Sequence, residues 1–465
     1  MSYSEKYKDC LEYIDSFWDR VIVKPRKRDL LMNLILNKAQ KKMHKNIINI
    51  PHPFIVPNDK KFTHVFYWDT FFIFRGLIRT KREWLLKAMV DNFVYLYDKY
   101  GIIPNFNSPA STGRSQPPFF SSMILDTYNG PYFKYLSLNR LARPFFDLDT
   151  HKSWLRKAVE VAKREYWNVW TDPEGYYNHR VKGFELKRYG DRDIGYAHSS
   201  EVESGWDFTS RFYNRCSEFL PIDLSVYLFK YERDFAKIAN HLGDIEEENF
   251  WKQRALNRKK QINKYMWNEK KGFFFDYGYK HKRQSAFLSL AGFTPLWAGL
   301  ATQAQAAKIV KKLPVFETEH GLVITAKKSL APKISLSKIP MRYRPAIEKI
   351  LKPKQWDYPN IWPPLEYLTV VGLLKYRYVE DAVRIMKKSL ETQAGIFRKY
   401  GTFFEKIDGA RGDKAGNFHY ETQSGFGWTN AIFYRYVMIL DSIESGQNLY
   451  AEKPKNPPFK LVIPH

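Results

Sequence analysis

The chain has 465 residues, 44% hydrophobic and 17% aromatic, more than an ordinary domain needs and enough to fill the core of one large helical barrel. Lysine and arginine outnumber aspartate and glutamate by 75 to 49, a net charge of +26, but the basic residues fall in short scattered runs (24–28, 41–45, 280–283) without the spacing of a recognition module, so no nucleic-acid partner is expected. Cys10 and Cys216 lie far apart in no metal-ligand spacing, no apolar run is long enough to span a bilayer, and the charged amphipathic N-terminus lacks a signal core; a disulfide framework, a zinc site and a membrane span are therefore not expected, and the cytoplasm is the expected location.

Helical periodicity dominates the chain. Apolar residues at three- and four-residue spacing predict helices over 3–21, 28–39, 68–78 and 81–99, with a proline-bearing extended segment at 46–62. A loop rich in Gly, Pro, Asn and Ser covers 100–118. Further helices are predicted over 117–128, 150–170, 209–219, 220–242, 244–267, 296–313, 363–376, 377–393 and 427–446. A polar loop is expected at 171–206, a short hairpin strand at 272–279, and an extended tail over 447–465. No linker divides the sequence. The expected organisation is a single domain over 1–446, opening with N-terminal helices and a loop (1–60), in which paired helices close into a toroid and long loops gather around a pocket at one end.

Five loop stretches carry unusual chemistry. In 200–212 (SEVESGWDFTSRF), Asp207 stands between Trp206 and Phe208 after a Ser-Gly turn. A carboxyl against aromatic surface is poorly solvated as an anion, so it is suited to stay protonated and act as a general acid. The alternative is structural, with Asp207 capping a helix and pairing with Arg211 at i,i+4. Trp68 and Asp69 stand at a helix start. Asn105 follows a proline, and Arg114 and Gln116 precede a proline-initiated helix. Gln355, Trp356, Asp357, Asn360 and Trp362 crowd one short stretch. Glu405 and Lys406 precede a run from Tyr420 to Asn430 that holds further rings and amides. Rings beside amides and carboxylates suit a sugar, since a ring covers the C–H face of a pyranose while polar groups pair with its hydroxyls.

Taken together, RSQPP (114–118), ESGWDF (203–208) followed by Ser210-Arg211, QWD (355–357) with Pro359, Asn360, Trp362 and Pro363, and QSGFGWTN (423–430) resemble the trehalases, inverting glycosidases that cleave α,α-trehalose. The resemblance runs from about Phe62 to about Tyr436. It implies an all-α fold, the (α/α)6 toroid or six-hairpin barrel, with Asp207 as general acid and Glu405 as general base. It also implies that Phe62, Trp68, Asp69, Asn105, Arg114, Gln116, Gln355 and Trp356 bind substrate. The implied ligand is a small glucoside or disaccharide, and no metal or cofactor is implied. A related inverting α-glucosidase acting on another, anionic, α-glucoside is the alternative.

Several positions depart from the family. Asn58-Asp59-Lys60-Lys61-Phe62 replaces a glycine-rich stretch ending in arginine and phenylalanine, and lysine lacks the planar two-pronged donor of arginine. The segment 185–193 has no clean counterpart, and His419 stands where the family has a glutamate. Residues 327–354 look inserted and carry nine basic side chains against the single acid Glu348, a composition suited to a charged rim that attracts an anionic ligand.

Overall fold

The computed structural model describes residues 1–25, 47–131, 148–190, 192, 199–330, 340–343, 353–416 and 420–446. The helices along them are α1 (Tyr3–Lys6), α2 (Lys8–Val21), α3 (Tyr67–Leu77), α4 (Trp84–Tyr100), α5 (Phe120–Asn129), α6 (Leu148–Arg164), α7 (Ser199–Glu203), α8 (Ile222–Leu242), α9 (Ile245–Met266), α10 (Thr294–Trp297), α11 (Gln303–Val310), α12 (Pro363–Lys375), α13 (Val379–Tyr400) and α14 (Gly427–Glu444). A π-helical turn, Glu165–Thr171, continues α6. The expected helix at 28–39, His419, most of 327–354, parts of 185–193 and the tail 447–465 lie outside the described residues.

Helix ends follow local chemistry. Ser2 and Glu5 form a capping box at α1. Gly101 and Gly401 end α4 and α13 in the left-handed conformation, with φ 71° and 68°. The strands are two-residue pieces: β1 (Ile22–Val23), β2 (Phe54–Ile55), β3 (Phe219–Leu220), β4 (Trp267–Asn268), β5 (Phe273–Phe274), β6 (Tyr277–Gly278), β7 (Arg283–Gln284), β8 (Asn360–Ile361), β9 (Ile407–Asp408) and β10 (Asp413–Lys414). They pair antiparallel as β1-β2, β3-β6-β7, β4-β5 and β10-β9-β8. Among the described residues no helix is long and apolar enough to cross a membrane.

The chain forms two compact units, one of Met1–Arg180, Tyr227–Asn257 and Gly425–His465, the other of Val181–Val226 and Arg258–Ser424. Each is organised around a helix buried on every side. In the first unit this is α3, all of whose residues are buried. It packs along α14 so closely that a Cβ on Gly76 would sit 2.7 Å from the Ala431 Cα. In the second it is α12, buried from Pro363 to Leu373 and packed on α10, where a Cβ on Gly372 would meet Leu296 Cβ at 2.7 Å. Cys10 and Cys216 are both buried and are not joined in a disulfide.

Three local expectations fail for physical reasons. Residues 209–219 form no α-helix. Phe208, Tyr213 and Asn214 take positive φ (60°, 53° and 59°), and carboxylates from elsewhere capture the Thr209 and Ser210 N–H groups. The helix over 296–313 is broken at Gly299 (φ 70°), and a Thr302–Gln305 capping box starts α11 afresh. The single hairpin strand expected at 272–279 is two strands: β5 returns to β4, while β6 pairs with β3 and β7.

Candidate active site

In the second unit the loop after α7 turns sharply. Gly205 (φ 74°) and Phe208 (φ 60°) both sit in the left-handed region, which costs a phenylalanine about 1 kcal/mol or more. Asp207, half-buried, stands between them. Distant groups hold the turn in place. Gln355 Nε2 donates to the Asp207 carbonyl at 3.1 Å, and Trp356 N donates to the Phe208 carbonyl at 3.3 Å. Asp357 accepts from Ser210 N at 2.9 Å, Ser210 Oγ at 2.6 Å and Thr209 Oγ1 at 3.2 Å. The 355–357 and 206–210 motifs, far apart in sequence, are thus one clamped structure. The structural alternative, a pairing of Arg211 with Asp207, gives way to another: the buried guanidinium holds Asp223 and Asp276, with contacts of 2.6 to 3.0 Å, and lies over the Trp206 ring at 4.6 Å. Helical i,i+4 geometry is lost with the helix, and two carboxylates offer a better fork.

Glu405 belongs to the same unit and is 2% exposed. An antiparallel bridge, Phe404 to Ser424, and the 2.9 Å bond from Glu405 N to the Gln423 carbonyl fix its backbone. Each carboxylate oxygen has a donor: Lys406 Nζ at 3.0 Å on Oε2 and Tyr420 Oη at 2.7 Å on Oε1. The Lys406 ammonium, itself buried, lies 5.1 Å over Trp362 and 4.3 Å over Tyr420. Trp362 stacks on Trp356 (3.8 Å, 7°), and Trp356 stacks on Trp206 (5.5 Å, 26°). A continuous run of contacts therefore links the two carboxylate-bearing segments: Glu405, Lys406, Trp362, Trp356, Trp206, Asp207. Among the described residues, the buried Trp206 Nε1 and Gln355 Oε1 have no hydrogen-bond partner, each such orphan costing about 1–3 kcal/mol.

The first unit gathers the other expected residues. Trp68 and Asp69 lie buried in the first turn of α3. Asn105 bridges two segments through its backbone: its carbonyl accepts from Tyr67 N at 3.0 Å, and its N–H donates to the Arg114 carbonyl at 2.9 Å. Gln116 Oε1 accepts from Trp68 N at 3.2 Å. Trp68, Asn105, Arg114 and Gln116 are therefore held within one hydrogen-bonded knot, and Asp69 follows Trp68 in the first turn of α3. Phe62 stands on Phe66 and Phe426, with ring centroids 5.5 and 6.0 Å away. Asn58 Oδ1 accepts from the N–H groups of Lys60, Lys61 and Phe62, which turns the departed 58–62 segment into a tight side-chain-bonded loop.

Beneath that knot lies a group that sequence reasoning missed. Glu165, fully buried at the π-helical turn, accepts from Tyr67 Oη (2.9 Å), Tyr231 Oη (2.8 Å) and Trp170 Nε1 (3.2 Å). Tyr67 is the residue before Trp68, so this network anchors the start of α3. Burial pushes the Glu165 carboxyl up to about 7, against the pull of those three donors. A carboxyl whose folded value lies above its unfolded one binds extra protons when folded, so stability falls as pH rises through that window and levels off above it. The wild type should lose on the order of 3 kcal/mol relative to Glu165→Gln between the ordinary glutamate range and pH 7. Urea denaturation of both at several pH values measures this, and parallel curves would contradict it. The other sequence-missed residues are Lys406 and Tyr420, which hold Glu405, and Asp357. All three lie inside the five loop stretches that the sequence singles out, but only long-range contacts reveal what they hold. Among the described residues no cluster of three or more His, Cys, Asp or Glu is arranged to hold a metal ion.

The architecture has close counterparts among solved structures. Neutral trehalase Nth1 from Saccharomyces cerevisiae superposes with a TM-score of 0.72 at 24% identity, covering 96% of this chain and 95% of that one. A GH63 mannosylglycerate hydrolase from Thermus thermophilus, solved with glucose, superposes with a TM-score of 0.58 at 16% identity, covering 82% and 95%. These likenesses are of fold, and with the helical pattern above they put the chain in the all-α (α/α)6 class. In sequence, a model of the Trehalase family matches residues 5–443, and the chain belongs to that family. A cytosolic neutral trehalase of Beauveria bassiana is 31% identical over 470 residues, covering 84% of this chain. The chain spans 58% of the length of that curated relative.

Proposed function

We propose that the protein is an inverting glycoside hydrolase that cleaves α,α-trehalose to glucose. Asp207 protonates the bridging oxygen, while Glu405 deprotonates a water that attacks the anomeric carbon from the opposite face. Such a pair works with its carboxyls about 6.5–9.5 Å apart, leaving room for the water. Phe62, Trp68, Asp69, Asn105, Arg114, Gln116, Gln355 and Trp356 bind the sugar in this reading. The chemistry needs no metal or cofactor. The observation that carries it, in a member of the Trehalase family, is the run of stacked rings Trp206, Trp356 and Trp362 that joins the Asp207 turn to Lys406 and Glu405. Membership of the family and the names of its relatives support the substrate, and the cytosolic relative supports a cytoplasmic location.

A panel of α-glucosides, trehalose among them, tests the reading through kcat/KM. Trehalose is expected to be the best neutral substrate, and no turnover of any glucoside overturns the proposal. The same panel tests the basic stretch 327–354 as a charged rim. Turnover of a phosphorylated or carboxylated α-glucoside should then fall with added salt while that of trehalose does not. Equal, salt-insensitive rates remove the rim from the account.

A further inference from the structure

The turn that carries Asp207 is gripped by two charged residues that the proposed chemistry leaves unused. Glu201, on α7, is 2% exposed, and its Oε1 accepts from Thr209 N at 2.7 Å. Lys354, the last residue of the basic stretch, reaches the other side of the same residue: its Nζ donates to the Thr209 carbonyl at 3.0 Å. The two charges pair at 3.8 Å. Lys354 is itself fixed through its backbone N–H, which donates to Asp357 Oδ2 at 2.8 Å, and its ammonium also donates to Asn214 Oδ1. Both hydrogen-bonding groups of the Thr209 backbone are thus held by opposite charges that also face each other. Immediately upstream is Phe208, the left-handed residue that follows Asp207. A strained turn persists only where its surroundings over-determine it, and here this pair does so.

We propose that Glu201 and Lys354 are positioning residues, a charged clamp on Thr209 that holds the Phe208 turn so that Asp207 is presented to the leaving oxygen. The proposal rests on the trehalase reading for its catalytic consequence, though not for the clamp itself. It also ties the C-terminal end of the basic stretch to the acid-bearing turn. The groups that face Glu201 are Lys354 and Asp357 from the 354–357 segment and the buried thiol of Cys216. Burial raises Glu201 to about 6, and the Lys354 ammonium restrains that rise. Without the ammonium, Glu201 takes up its proton closer to neutrality. A protonated carboxyl loses the charge that makes its bond to the Thr209 N–H strong.

The test compares wild type, Lys354→Met, Lys354→Arg and the Glu201→Gln/Lys354→Met double variant. With trehalose, Lys354→Met should lose about tenfold in kcat with little change in KM, because the fault lies in presentation of the acid rather than in sugar binding. Its acid limb should move to higher pH; Lys354→Arg should recover much of the loss, and the double variant should lack the pH shift. Hydrogen exchange by mass spectrometry reads the clamp without any substrate: in Lys354→Met the peptide containing Thr209 should exchange faster. A wild type inactive on every glucoside refutes the functional reading and leaves the exchange result to decide the clamp. An active wild type with an unchanged pH profile in Lys354→Met overturns the positioning role, and unchanged exchange at Thr209 overturns the clamp.

Discussion

Asp207→Asn is expected to reduce kcat on trehalose by about 10³-fold or more, with KM little changed and the fold intact. General acid catalysis contributes typically about 10²–10⁴-fold, and a glucose alkoxide is a poor leaving group without it. Asparagine keeps the shape of the side chain. The turn is held by the Asp207 carbonyl bonded by Gln355 and by Thr209 and Ser210 bonded to Asp357, groups that the substitution leaves in place, so the turn should survive it. Glu405→Gln is expected to fall as far, for a different reason: the attacking water is no longer deprotonated. The two are told apart with α-glucosyl fluoride, whose leaving group needs little protonation. This substrate should largely restore turnover in Asp207→Asn and not in Glu405→Gln. Substantial trehalose hydrolysis by either variant would mean that the roles are misassigned, and rescue of both by the fluoride would mean that Glu405 is not the base.

The largest effect on stability is expected at Arg211. Its guanidinium is fully buried and bonded to Asp223 and Asp276, themselves 0% and 2% exposed. Asp276 also holds Ile222 N at 2.9 Å, the first residue of α8, and Asp223 Oδ1 accepts from Leu224 N at 2.9 Å. Arg211→Met deletes the cation that both carboxylates share and leaves them facing one another out of water. Removing one partner of a buried ion pair costs about 3–5 kcal/mol, much of it the desolvated charge left behind. Arg211→Lys should recover part of this and no more, since an ammonium cannot reproduce four contacts to two carboxylates. Urea denaturation gives the answer directly, and a loss below about 1 kcal/mol for the methionine variant would contradict this role.

Much of the fold was readable because helices announce themselves through apolar spacing. The predicted helices at 150–170, 220–242, 244–267, 363–376 and 427–446 correspond closely to α6 with its π-helical turn, α8, α9, α12 and α14. The failures share a cause. Residues 209–219 carry a helix-like pattern, but Glu201 and Asp357 take the N–H groups of Thr209 and Ser210, and no local pattern reports a carboxylate contributed by a distant segment. Arg211 illustrates the same point: its sequence neighbour Asp207 suggested a local pair, and its actual partners come from α8 and from the segment after β5. The break at Gly299 was written in the sequence as a glycine, but an apolar rhythm continues across it and masks the turn.

The candidate site was legible to a similar depth. Its rings, amides and carboxylates cluster in short loops, so the residues themselves stand out. What supports them does not. The contacts of Lys406 and Tyr420 with Glu405 and the stacking of Trp362, Trp356 and Trp206 join stretches from different parts of the chain, as does the Glu165 network beneath Trp68. Sequence proximity reveals which chemistry is available; only packing reveals what holds it still.

The central claim, hydrolysis of trehalose with inversion, is tested most directly by following the anomers of released glucose by proton NMR from the first minutes of reaction. Attack on one anomeric carbon from the face opposite the leaving oxygen yields β-glucose, while the other glucose departs with its α configuration intact. Inversion therefore predicts equal initial amounts of α- and β-glucose before mutarotation. Release of α-glucose alone would contradict it, because both anomeric centres would then have kept their configuration.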